Sequence, residues 1–143
     1  MSRSASLSSR ASRVVHETKI RVRYAEIDAQ GHVNNANYLS YFEVGRVEWL
    51  RATGHSYRKM ELRGRGLVVV EALVRYRRPA FFDDELRLQT ELAELGKVAL
   101  RFDYEVVRGA EQIATGYTRH ACVDLFTGKP VRMPKELLGL GTW

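Results

Sequence analysis

The sequence predicts an α+β domain in which one long helix packs on an antiparallel sheet, and three observations carry that expectation. From Ala36 to Thr53, Tyr38, Phe42 and Trp49 fall on one helical stripe, with Gly45 between them and Leu39 and Leu50 on its flank. Four later stretches switch to a period of two. The breaks between them are rich in turn-forming residues.

Residues 14–24 (VVHETKIRVRY) read as a first strand. The helix follows, with the side chain of Asn34 or Asn35 available to cap its start and Gly54 placed to tolerate left-handed geometry beyond its end. Gly45 costs helix stability, so it is expected to admit the close approach of another backbone. Val68 to Arg77 alternates, as do Leu86 to Leu92 and Val98 to Val106, and Gln112 to Leu125 continues in β-rich style. Turns are expected at Pro79 to Asp84, Leu95 to Lys97, Arg108 to Ala110 and Thr127 to Pro130. The predicted order is strand, helix, then four strands as an antiparallel meander, with a short helix at Met133 to Leu138.

These lengths create a burial problem. Strands of ten to twelve residues extend roughly 35 to 40 Å, whereas the helix spans about 27 Å. The sheet must therefore curl around the helix, and even then an edge and outer face carrying Val69 and Leu73 would stay exposed. A homo-oligomer that joins sheets between subunits solves this economically.

Composition sets the outer bounds. The 143 residues, 45% of them apolar, suit one domain. The net charge of +6 is partly a tail effect, because Arg3, Arg10 and Arg13 stand in residues 1–13 without an acid, and removing them leaves +3. That Ser/Arg-rich tail cannot offset its ordering entropy and is expected to be disordered, leaving residues 14–143 as the single domain. The remaining basic excess suits a phosphorylated ligand or an acidic carrier protein and equally suits plain solubility. No membrane-spanning run and no secretory apolar block are visible, so a cytoplasmic location is expected. Cys122, the only cysteine, reads as a small buried hydrophobe. His16, His55 and His120 lack metal-ligand spacing with each other or with His32, so no metal is expected. The Gly64 and Gly66 pair lacks the context of a dinucleotide fingerprint, and the aromatic-studded basic strand of common RNA binders is missing, so no nucleic-acid partner is expected.

The chemistry concentrates just ahead of the helix. Tyr24, Asp28, Gln30, His32, Asn34 and Asn35 lie within twelve residues, more polar groups than one helix cap requires. Asp28 and His32 flank the turn Ala29-Gln30-Gly31, which lets both face one volume near the helix N-terminus, where unpaired amides suit a developing oxyanion. An acid beside an imidazole or phenol is the minimum for activating water against a carbonyl. The plainer alternative assigns these residues to turns and caps.

The segment RYAEIDAQGHVNNANYLSYFEVGRVEWL (residues 23–50) resembles the signature of hotdog-fold acyl-CoA thioesterases of the 4-hydroxybenzoyl-CoA thioesterase type, including the Tol-Pal-associated branch. The resemblance continues through VRYRRPAFFDDELRLQTEL, LRFDYEVVRG and ATGYTRHACVDLFTGKPVRMP. It implies a helix wrapped by an antiparallel sheet, dimers joined edge to edge, frequent tetramers and sites between subunits. It implies hydrolysis of acyl-CoA thioesters with coenzyme A only as part of the substrate and no separate cofactor. By position Asp28 matches the family's catalytic aspartate, acting as general base or nucleophile, and Tyr24 falls where one branch has an active-site tyrosine. That branch has a histidine where this chain has Asn35. His32 matches the catalytic histidine of plant acyl-carrier-protein thioesterases, whose motif also reads HVNN. Gly31, Val33, Asn34 and Tyr38 are expected to contact substrate, with Arg77 and Arg78 meeting the phosphates of coenzyme A. Tyr57, Met60, Leu67 and Phe82 are candidates to line an acyl pocket. Glu43 resembles the catalytic carboxylate that another hotdog branch carries inside the helix, but Arg46 at i+3 offers it a simple ion pair, which is the expectation here. Hotdog hydratases place their histidine five residues after the aspartate rather than four, which disfavours dehydration. The alternatives are an acyl-carrier-protein thioesterase and a non-catalytic acyl-CoA or carrier-protein binding module.

Overall fold

The computed structural model describes residues 14–139, and the Ser/Arg-rich stretch 1–13 lies outside the described residues. Strand β1 (Val15–Arg21) leads through a 3-10 turn (Tyr24–Glu26) to helix α1 (Asn37–Ala52) and short helix α2 (Tyr57–Leu62). Strands β2 (Arg65–Tyr76), β3 (Glu85–Leu95), β4 (Ala99–Arg108) and β5 (Glu111–Asp124) follow, then α3 (Lys135–Leu138). The long helix and all five strands sit within a few residues of their expected bounds.

The strands form one antiparallel sheet in the order β1-β3-β4-β5-β2. This corrects the expected four-stranded meander: only β3, β4 and β5 follow one another, and β2 pairs along the far side of β5. The reason lies in the segment 77–84, which is too firmly held elsewhere to form a hairpin. Arg77 and Arg78 amides donate to Ile113 O, Val33 N donates to Ala80 O, and Asp83 N and Val22 N bond Val22 O and Asp84 O. The connection therefore runs beneath the start of α1 to the opposite edge. Pairing of β2 with β5 slips between Val69 and Glu71, a bulge on an edge strand.

The core follows from the two periodicities. Leu86, Leu88, Thr90 and Leu92 on β3 and Leu100, Phe102, Tyr104 and Val106 on β4 are buried in alternation. Helix α1 lays Tyr38, Phe42, Gly45 and Trp49 against them. Phe42 stacks on Tyr104 at 4.2 Å between ring centroids, and Trp49 meets Phe102 edge-on at 5.4 Å. The indole N–H of Trp49 donates to Val14 O.

The reason for glycine at position 45 differs from the expectation. A Cβ there would meet the side chains of Thr90 and of Leu88, the latter at 2.6 Å, so sheet side chains rather than another backbone set the limit. The close backbone approach occurs instead at Gly116, where a Cβ would strike Leu73 O and come within 2.8 Å of the Phe42 ring.

Cys122 is buried and free, and burial pushes its thiol up. Helix α2 has no counterpart in the sequence reading; at six residues it is too short to show a periodic stripe, although Ser56 caps it by accepting from Lys59 N. On the free edge, Val68, Val69 and Val70 are 42%, 47% and 62% exposed, and Leu73 is half-buried. The apolar edge anticipated from strand length is present.

Candidate active site

The polar stretch ahead of α1 is a set of nested turns. An isolated bridge pairs Ile27 with Val33, Asp28 N donates to His32 O, and Gly31 N donates to Asp28 O, with Gly31 at φ +90°. Only a glycine takes that backbone conformation without strain. Asp28 Oδ1 accepts from Gln30 N at 2.9 Å. Its other oxygen, Oδ2, lies 3.9 Å from His32 Nδ1, and both side chains are about one-third exposed. Asp28 and His32 do face each other across the turn.

Much of the remaining polarity is structural. Asn34 Oδ1 accepts from Ala36 N, and Asn34 O accepts from Asn37 N. This corrects the expectation that the first amides of the helix stand free: an Asx turn occupies the earliest, and Tyr38 N reaches Asn35 O at a long 3.3 Å. The N–H of Asn35, one turn earlier, has no hydrogen-bond partner among the described residues. No acid stands in the first turn of α1.

Sequence reasoning missed Glu26. Its carboxylate accepts from Arg23 N and from the hydroxyl of Tyr41 at 2.8 Å, while Asn37 Nδ2 donates to Glu26 O. Burial opposes ionisation of Glu26, but the bonds from the Arg23 amide, Tyr41 and the Arg23 guanidinium together hold it below the ordinary carboxylate range. The Tyr41 phenol is pushed up by burial and by the Glu26 bond. Glu26 therefore ties the 3-10 turn to α1. The capping-box spacing Arg23 to Glu26 is the one trace of this in the sequence.

In front of the helix start lies a cavity of about 280 Å³ lined by His32, Val33, Asn35, Tyr38, Tyr76, Arg77, Arg78 and Pro79. Six of the ten expected site residues meet there. Burial pushes the Tyr38 phenol up to about 12, so it stays protonated and can donate. Tyr76 hydroxyl donates to Asn35 O. Arg78 lies 3.8 Å from Glu111, and Arg77 makes no ion pair among the described residues. Asp28 stands behind His32, Gly31 and Asn34 shape the turns, and Tyr24 lies apart, 77% exposed and edge-on to Phe82.

The acyl-pocket candidates separate. Tyr57 and Leu67 line a second cavity with Glu43 and Arg46, Met60 lines a third beyond the C-terminal end of α1, and Phe82 is exposed. The expected Glu43–Arg46 ion pair does not form. The positive charge of Arg46 acts instead on the buried phenol of Tyr104, partly offsetting the rise that burial causes there. Among the described residues no group of three or more His, Cys, Asp or Glu side chains is arranged to hold a metal, and no helix is long and apolar enough to cross a membrane.

Comparison with known proteins identifies the family. The model of the thioesterase-like superfamily covers residues 22–140. The acyl-CoA thioesterase YbgC of Haemophilus influenzae is 34% identical over 119 residues, 82% of this chain and 88% of that protein. The long-chain acyl-CoA thioesterase FadM of Escherichia coli is 32% identical over 123 residues, 85% of this chain and 92% of its own. A DHNA-CoA thioesterase structure from Staphylococcus aureus superposes with a TM-score of 0.86 at 27% identity, covering 90% of this chain and 89% of that one. With one long helix laid on a five-stranded antiparallel sheet, the chain belongs to the thioesterase-like superfamily as a hotdog-fold thioesterase.

Proposed function

We propose that the protein hydrolyses acyl-CoA thioesters to the free acid and coenzyme A, with Asp28 as general base or nucleophile. The observation that supports this reading is the His32 ring, which lines the cavity together with Asn35 and lies 3.9 Å from Oδ2 of Asp28. The thioester carbonyl oxygen accepts from Asn35 N–H, which gains a partner as negative charge develops there. In the base route Asp28 takes a proton from water, the water oxygen bonds the carbonyl carbon, and the C–S bond breaks to release the coenzyme A thiolate. In the nucleophilic route the Asp28 carboxylate displaces that thiolate and water then cleaves the anhydride. His32 orients the water, and no metal or separate cofactor enters either route. Arg77 and Arg78, at the cavity rim, meet the phosphates of the substrate.

The same proposal includes a second copy of the chain. The exposed valines of β2 and its unpaired backbone edge match a strand-to-strand dimer, from which a tetramer can be built. Thiol release measured over a panel of acyl-CoAs tests the function. Release that follows enzyme concentration and depends on the acyl group is expected, whereas saturable binding without release would make the protein a binding module.

A further inference from the structure

The flank of α1 beside β2 carries Glu43, Arg46, Val47 and Leu50, and with Tyr57 and Leu67 these enclose a cavity of about 270 Å³. Four of the six walls are apolar or aromatic. The other two are opposite charges one helical turn apart that do not bond each other, and neither forms an ion pair among the described residues. A half-buried guanidinium beside apolar walls has lost water without gaining a counter-ion, which is costly unless a ligand supplies an acceptor.

The positive charge of Arg46 lies close enough to the buried phenol of Tyr104 to act on it, and that hydroxyl lies 2.6 Å from Thr118 Oγ1. Thr118 Oγ1 lies 2.8 Å from His120 Nε2, and His120 Nδ1 lies 3.3 Å from Leu67 O. Leu67 N in turn donates to Tyr57 hydroxyl at 3.0 Å. Tyr104, Thr118 and His120 are buried. Leu67 O can only accept, so a neutral His120 ring donates to it from Nδ1 and accepts at Nε2 from the Thr118 hydroxyl, which leaves Thr118 Oγ1 to accept from Tyr104. The chain thus runs from the phenol beside Arg46 to Leu67, and Arg46 and Leu67 both line the cavity.

We infer that this cavity receives the far end of a hydroxylated acyl group, whose hydroxyl accepts from Arg46 and donates to Glu43. A hydroxyl suits the pair because it both donates and accepts. A carboxylate would be repelled by Glu43, and an ammonium by Arg46. Arg46 lies about 14 Å along the helix axis from Asn37, and its side chain leans back toward the helix start, so an acyl chain of medium length spans the gap. This assignment rests on the thioesterase reading above.

The test compares kcat/KM for octanoyl-CoA, omega-hydroxyoctanoyl-CoA and suberoyl-CoA, which ends in a carboxylate, using the full-length protein. The wild type is expected to favour the hydroxylated substrate over octanoyl-CoA by about tenfold. Arg46→Gln and Glu43→Gln should each bring that ratio toward unity, and Glu43→Gln should raise suberoyl-CoA relative to octanoyl-CoA. Glu43 is exposed, so its variant folds even if Arg46→Gln does not. A wild type without the preference, a preference that survives Glu43→Gln, or an equal loss on all three substrates overturns the inference. Hydrolysis of none of the three overturns the thioesterase reading first, and the inference with it.

Discussion

Asparagine in place of Asp28 is expected to lower kcat for acyl-CoA by about 10³-fold while leaving the fold and KM nearly unchanged. The separation of effects follows from local geometry. The turn around Asp28 is held by backbone bonds between residues 28, 31 and 32, and by Oδ1 accepting from Gln30 N. An asparagine oxygen accepts that bond equally well. What it removes is the charge on the second oxygen, which alone can take a proton or attack a carbonyl. Circular dichroism and thermal unfolding should therefore match the wild type. Turnover within a few-fold of wild type would end the role given to Asp28. A single turnover in heavy-oxygen water separates the two routes: with Asp28 as base the label enters the product acid directly. With Asp28 as nucleophile and water attacking the aspartyl carbonyl of the anhydride, an Asp28 oxygen leaves in the product and the carboxylate keeps the label.

Much of this was legible in the sequence, and the exceptions have physical causes. The stripe Tyr38, Phe42 and Trp49 became the buried face of α1, and period-two alternation located every strand after it, because both patterns record which side meets the core. Alternation says nothing about neighbours, so the migration of β2 past β5 was invisible; it depends on where residues 77–84 are anchored. In the site, the spacing of Asp28 and His32 around Gly31 was readable because a short turn leaves few geometries. The division of labour among the asparagines was not. Asn34 builds the Asx turn, and Asn35 is left with its N–H unpaired, a difference of one position that composition cannot resolve. The i+3 spacing of Glu43 and Arg46 predicted an ion pair from local geometry alone. The tertiary surroundings of Arg46, among them the buried Tyr104 phenol on β4 that its charge acts on, are invisible to that local spacing.

The buried chain beneath Arg46 also predicts how the protein responds to acid. His120 is 1% exposed, and burial, aided by the positive charge of Arg46 and opposed by the bond to Leu67 O, lowers its pKa to about 4 from an ordinary 6.5. Between those values the unfolded chain binds a proton at this ring and the folded protein does not, so stability rises with pH across that window. The stabilisation is complete above pH 6.5 and is lost progressively as the pH falls toward 4, with a full size of roughly 3 kcal/mol. Glu26, held below its usual range, also loses its contribution on acidification, but only as the pH falls below about 4.5, so the two groups act in successive windows. Urea midpoints in the wild type should hold level from pH 7.5 to about 6.5 and fall from there to pH 5. His120→Gln keeps one donor and one acceptor without a titrating ring. It should start less stable at neutral pH, by about 1 to 3 kcal/mol, because the replacement fits the Thr118 and Leu67 contacts less well. Its midpoint should then stay nearly flat where the wild type declines. Parallel declines in the two proteins would place the acid sensitivity elsewhere and would mean that His120 meets water more readily than its burial implies.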